Sequence, residues 1–199
     1  RHFGLSEGKV GLLITSFTLP GVLFTPILGV WADRWGRKTV LVPALLLFGL
    51  AGTACALVDD FHLLLALRFL QGMGAASLGS INVTLIGDLF TGERRTSAVG
   101  LNSGVLSIGT ASYPAVGGAL ATLGWRWPFL LHLLALPIAL IVLLRLNSPK
   151  PRSTQALGDY LNGVWRSLKN AQTVALFLSS TLTFIVLYGP YLTFLPLLL

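Results

Sequence analysis

The stretch GVWADRWGRKTVL, residues 29–41, ties Asp33, Arg34, Arg37 and Lys38 into a tight knot, with uncharged runs on both sides. Residues 10–32 before it and 39–58 after it carry no formal charge. The pattern repeats along the chain. Residues 61–87 hold one formal charge, Arg68; residues 96–125 hold none; residues 127–144 hold only His132; residues 170–199 again hold none. About 20 apolar residues are enough for a helix to cross a bilayer core. Six runs meet or approach that length, the shortest extending to about Leu146 with Arg145 reaching for the interface. Backbone polar groups in lipid must bond internally, so these runs are predicted to be helices. The alternation that a membrane barrel requires is missing.

Composition agrees. The chain has 199 residues, 54% of them hydrophobic and 11% charged, against about 25% charged in an average soluble protein. The single cysteine, Cys55, excludes an intrachain disulfide. A net charge of +7 could suggest nucleic acid, but its placement speaks for topology. Ten of the fourteen basic residues fall on one side: Arg34, Arg37, Lys38, Arg94, Arg95, Arg145, Lys150, Arg152, Arg166 and Lys169. That side is cytoplasmic by the positive-inside rule, and no nucleic-acid partner is expected. The opposite side sees Arg1, Lys9 and Arg126 with Glu7, Asp59 and Asp60.

The runs differ in texture. Residues 61–87 and 96–122 are rich in Gly, Ser, Thr, Ala and Asn. Small residues let helices approach closely, so these two are expected to be inner helices. Residues 127–146 are bulky aliphatics and are expected to be peripheral and lipid-facing. Residues 147–169 form the one substantial hydrophilic segment. There Leu157, Tyr160, Leu161, Val164, Trp165 and Leu168 recur at helical spacing. That is either an amphipathic helix in the membrane interface or a helix packed on protein.

Three stretches carry chemistry. In the opening knot, Gly36 permits a tight turn or a φ that other residues avoid. Gly29 is expected to end a helix where another segment approaches. Asp33 stands beside a basic cluster. The plain reading is a charged hairpin that fixes topology, but the G-x-x-x-D-R-x-G-R-K spacing is narrower than topology requires. The second stretch, LLALRFLQGMGAA (64–76), places Arg68 roughly 10 Å into the bilayer at 1.5 Å per residue. No carboxylate occurs in any of the membrane runs. The partner of Arg68 is therefore backbone, Gln71, water, an anionic substrate or a carboxylate elsewhere, unless the side chain snorkels outward. The third, GTASYPAVGGAL (109–120), continues a glycine-rich face from Gly100 and Gly104 through Gly109, Pro114, Gly117 and Gly118. Such a face serves tight packing, or bending between two transport states. Pro20, Pro26, Pro190 and Pro196 suggest bent helices in the first and last runs. Asp88, Glu93, Arg94 and Arg95 close the next cytoplasmic turn, for topology and surface salt bridges or for gating.

These stretches resemble the major facilitator superfamily. GVWADRWGRKTVL is similar to its signature loop between the second and third helices, with Gly29, Asp33, Arg34, Gly36, Arg37 and Lys38 on signature positions. LLALRFLQGMGAA resembles its fourth-helix motif, with Arg68, Gln71, Gly72 and Gly74 in place. GTASYPAVGGAL resembles the fifth-helix antiporter motif, except that Tyr113 stands where glycine is usual. LGWRWPF (123–129) resembles the turn into the sixth helix.

The resemblance implies an all-α membrane protein and a partial major-facilitator-type bundle with six transmembrane helices present. Residues 1–146 would be the amino-terminal bundle without its first helix. Residues 147–169 would be the cytoplasmic linker, and 170–199 the first helix of the second half. Both ends are expected to be cut from a longer protein whose remainder completes the bundle. The family's pattern gives Asp33 a place in a charge latch on the cytoplasmic face, Arg68 with Gln71 a role in proton coupling or substrate binding, and the fifth-helix motif a role in efflux. Thr15, Thr18, Asn82, Asn102, Ser107 and Tyr113 are further candidates to line the cavity.

The expected function is secondary active transport in the plasma membrane, as proton-coupled efflux of small drug-like compounds. The alternatives are proton symport of a sugar or metabolite, and a non-transporting membrane scaffold. The expected partners are the lipid bilayer, a small-molecule substrate and protons. No cofactor is expected beyond the proton gradient. No P-loop, metal spacing or catalytic constellation suggests an enzyme or an ATP-driven pump.

Overall fold

The computed structural model describes residues 7–147, 162–163, 165–167 and 169–198. Apart from short turns those residues are helical, and no strand occurs among them. The chain divides into two compact units, residues 1–153 and 154–199.

In the first unit, α1 spans Glu7–Trp35, α2 Arg37–Ala54, α3 Phe61–Leu89 and α4 Gly92–Leu123. A 3₁₀ turn, Cys55–Leu57, extends α2. The predicted run 127–146 is not one continuous α-helix. It consists of α5, Trp127–Leu130, a 3₁₀ turn over Leu131–Leu134, and α6, Ala135–Arg145. In the second unit, α7 spans Ala171–Leu198. α1 runs unbroken through Pro20 and Pro26, α4 through Pro114, and α7 through Pro190 and Pro196. The amphipathic helix expected over 147–169 lies largely outside the described residues; residues 162–163 and 165–167 are helical and exposed.

All six predicted crossings are thus built on helices. Among the described residues, Gly11–Trp35, Arg37–Leu57, Phe61–Leu89 and Trp127–Arg145 are each long and apolar enough to cross a membrane. α4 has 32 residues and ample length, but its Gly, Ser and Thr content dilutes its apolarity. α7 is 28 residues long.

α3 is the hub. It packs along α1 on one side and α2 on the other, and α2 in turn carries the α5–α6 segment. Two glycines of α3 explain how closely these helices approach. A β-carbon at Gly72 would overlap the backbone carbonyl of Phe17 in α1, and one at Gly74 would lie 2.6 Å from the backbone nitrogen of Phe48 in α2. Thr25 of α1 also donates to the Ala76 carbonyl of α3 at 2.8 Å. α6 turns Ala135 and Ala139 inward and leaves Ile138, Leu140 and Leu144 exposed, the peripheral arrangement expected for it.

α4 departs from expectation. It touches α3 lightly and has no buried residue. The composition that placed it among inner helices identifies a surface suited to close packing, but no described neighbour occupies that surface.

Candidate functional site

Two charged or polar sites are built on this frame. The first is the opening knot. α1 ends at Trp35 and α2 begins at Arg37, so the whole turn is Gly36. Its φ of 95° lies in a region that side chains with a β-carbon avoid. Asp33 and Arg34 therefore stand on the last turns of α1, with Arg37 and Lys38 on the first turn of α2. The Arg37 guanidinium pairs with Asp33 across the turn and with Asp88 of α3 through Nε at 3.2 Å. The Arg37 and Asp88 side chains are only 14% and 11% exposed, against 37% for Asp33. Below the knot, Ala32, Val40, Ile81 and Leu85 form an apolar base drawn from the same three helices.

The knot thus ties three helix ends, not two. Asp88, read from the sequence as part of a separate turn, is its most buried carboxylate. Like charge sidedness was the available signal, but 51 residues separate the partners. Arg95 of α4 closes over the same corner: its guanidinium would lie 3.2 Å from a β-carbon at Gly87. Gly29 does not end a helix. It lies inside α1, and a β-carbon there would meet no neighbour within 4 Å.

The second site surrounds Arg68, seven residues into α3. Its side chain is partly buried and turned inward, not outward to the interface. Nη1 donates to Gln71 Oε1 at 3.1 Å. The guanidinium also lies 4.8 Å from the Phe129 ring centroid and 5.9 Å from that of Phe17. Cation–π contacts of this kind partly replace the solvation that a buried cation loses. Gln71 is fully buried. Arg68 Nε and the Gln71 amide nitrogen are buried donors with no acceptor among the described residues. The site offers donors and a positive charge, so it is chemically suited to an acceptor-rich or anionic group.

Of the other predicted site residues, Tyr113 is exposed on α4. Asn82 and Asn102 meet each other: Asn82 donates to Asn102 at 2.7 Å, joining α3 to α4. Thr18 spends its hydroxyl on the Ile14 carbonyl at 3.1 Å. Thr15 and Ser107 are exposed on α1 and α4. In α4, β-carbons at Gly109, Gly117 and Gly118 would meet nothing within 4 Å. The predicted lining residues do not share one cavity. A groove of about 550 Å³ between α1, α2 and α3 is lined by other residues, including Phe24, Trp31, Trp35, Pro43, Leu47 and Met73.

Little in the sequence points to Phe17, Phe129 and His132 around Arg68. Phenylalanine in an apolar run carries no signal of cation contact. A lone histidine in an apolar run carries no metal spacing either; His132 is only 9% exposed and, like Gln71, lies against Gly52.

Comparison with known proteins follows this geometry. The family model described as Major Facilitator Superfamily matches residues 1–199. The Bacillibactin exporter of Bacillus subtilis (strain 168) is 33% identical over 136 residues, covering 65% of this chain and 34% of that protein. Efflux pump dotC of Dothistroma septosporum is 36% identical over 141 residues, covering 68% of this chain and 24% of the pump. Multidrug resistance protein 2 of Bacillus subtilis (strain 168) is 26% identical over 189 residues, covering 93% of this chain and 47% of that protein. The chain spans less than half the length of these relatives. A signature turn tied across three helix ends, a fourth-helix arginine set beside Gln71 and a family match over its whole length place this chain in the major facilitator superfamily of multi-pass membrane transporters.

Proposed function

We propose that the protein containing this segment exports small apolar or amphiphilic compounds across the plasma membrane in exchange for protons. The observation that carries this reading is Arg68: a cation at bilayer depth, held by one amide and two aromatic rings, with no carboxylate pairing to it among the described residues. A site of this kind has a buried donor left for an acceptor-rich group, and its rings suit amphiphilic cargo. The efflux and multidrug names of the relatives support the direction of transport.

The knot of Asp33, Arg37 and Asp88 has a mechanical part in this scheme. It makes the cytoplasmic ends of α1, α2 and α3 move as one body, as rocking between inward-open and outward-open states requires. Alternating access needs two halves, so the 199-residue chain is not expected to transport by itself.

The test uses the complete protein in inverted vesicles with an imposed pH gradient, comparing ethidium and related dyes with a panel of sugars. Proton-driven dye movement that is lost in Arg68→Ala, with insertion intact, supports efflux through Arg68. Unchanged movement in that variant removes Arg68 from the mechanism. A second reading, proton symport of a sugar or organic metabolite, is favoured by Tyr113, a hydrogen-bonding phenol in place of a motif glycine. Sugar movement without dye movement would select it.

A further inference from the structure

We propose that His132 is a positioning residue for Arg68, holding the guanidinium in place through Phe129 on one side and Gln71 on the other. This rests on the reading that Arg68 works in transport.

The geometry starts in α2. Gly49 and Gly52 are three residues apart and form the floor under the 3₁₀ turn Leu131–Leu134. A β-carbon at Gly49 would lie 3.1 Å from the His132 carbonyl oxygen. One at Gly52 would lie 2.6 Å from His132 Cγ and 2.7 Å from Gln71 Nε2. The histidine of the α5–α6 segment and the glutamine of α3 therefore converge on a single point of α2, where only a hydrogen fits. Gln71 uses its other end, Oε1, to accept from Arg68 Nη1.

The second arm runs through Phe129. His132 Nδ1 lies 2.8 Å from the Phe129 carbonyl oxygen. A carbonyl can only accept, so Nδ1 carries the proton. That bond fixes the imidazole to the turn that presents the Phe129 ring to Arg68 at 4.8 Å. Phe48 of α2 closes the pocket edge-on, 5.2 Å from the imidazole centroid.

Arg68 is thus held between two groups; His132 is bonded to the backbone of one, Phe129, and shares the Gly52 floor with the other, Gln71. Interruption of an otherwise regular membrane helix by a 3₁₀ turn at this point has a use: short 3₁₀ stretches within helices often mark hinges. Here the turn brings a polar side chain of a peripheral helix into the site. Among the groups around His132, α3 contributes the charge of Arg68, while α2 and α5 contribute Phe48, the glycines and Phe129, none of them titratable. A proton added to His132 would place a second positive charge near the guanidinium.

The experiment measures pH-gradient-driven ethidium movement by the complete protein in vesicles, for wild type, His132→Phe, His132→Asn, Gly52→Ala and Arg68→Ala. His132→Phe keeps an aromatic edge toward Phe48 but has no donor for Phe129. It is expected to lower Vmax about tenfold with KM within about twofold, and to move the pH profile. His132→Asn restores an N–H and is expected to recover Vmax to within about threefold of wild type. Gly52→Ala, which separates His132 from Gln71, should reproduce the phenylalanine variant. If His132→Phe and Gly52→Ala keep wild-type Vmax and pH profile while Arg68→Ala is inactive, the role of His132 is overturned and that of Arg68 stands. If Arg68→Ala is itself fully active, both fall. One measurement needs no His132 variant. Nitrogen NMR of histidine-labelled wild-type protein should show a buried Nδ1-protonated imidazole whose signal moves in Arg68→Lys. An Nε2-protonated tautomer at that site would refute the geometry.

Discussion

α3 and α4 are composed of the same small residues, yet α3 is enclosed by neighbours and α4 is not. In α3, Gly72 and Gly74 sit against the backbones of α1 and α2 so closely that a methyl group would collide. In α4, β-carbons at Gly100, Gly104, Gly109, Gly117 and Gly118 would meet nothing within 4 Å. A glycine stripe marks a surface that a helix can approach closely. Whether a helix is there depends on which other segments the fold brings alongside. In α3 the small residues support packing directly. In α4 they leave a largely open face; among the described residues α4 is held by the Asn82–Asn102 bond and by light contacts with α3 and α5.

The comparison can be broken most decisively at Gly72. In the complete protein, Gly72→Ala should cost about 1–3 kcal/mol, because the obstacle is backbone and cannot rotate away. Thermal unfolding in detergent reads this out, and an unchanged midpoint would mean that α1 and α3 are further apart than described. Next in size is Arg37→Ala, which removes the ion pair that the nearly buried Asp88 carboxylate makes between the same helices. About 2 kcal/mol is expected, whereas Asp33→Asn should lose about 0.5 kcal/mol because Asp33 is far better solvated. Equal losses would argue against Asp88 as the anchor.

A smaller effect, about 0.6 kcal/mol, is expected for Asn82→Ala, which removes the hydrogen bond between α3 and α4. Asn102→Ala should match it, and the double variant should add nothing further. Gly104→Ala completes the series with a stability change within about 0.5 kcal/mol. Dye transport measured on the same variant sharpens the contrast: a large loss of transport with unchanged stability would mean that the open face of α4 meets another helix during the cycle.

The membrane class was legible in the sequence for a simple reason. Crossing a bilayer constrains every residue of a run, so the uncharged stretches and the basic turns between them show it locally. The turn at Gly36 was legible in the same way, since a one-residue link between helices needs a φ that glycine alone adopts at low cost. Arg68 stood out because a charge in an apolar run is expensive. What surrounds Arg68 did not stand out. Phe129 and His132 lie about sixty residues downstream of it and look like ordinary members of a lipid-facing helix.

By itself, then, the sequence determined a helical membrane chain, the signature turn and the unusual arginine, because each follows from local composition or a backbone requirement. Tertiary structure alone decided that Asp88 joins the knot, that Gly72 and Gly74 of α3 lie against neighbouring backbone while the α4 glycines from Gly100 to Gly118 stand open, and that His132 and Gln71 converge over Gly52. Those outcomes depend on which helices come together, and side-chain contacts between distant segments leave no periodic mark on the chain.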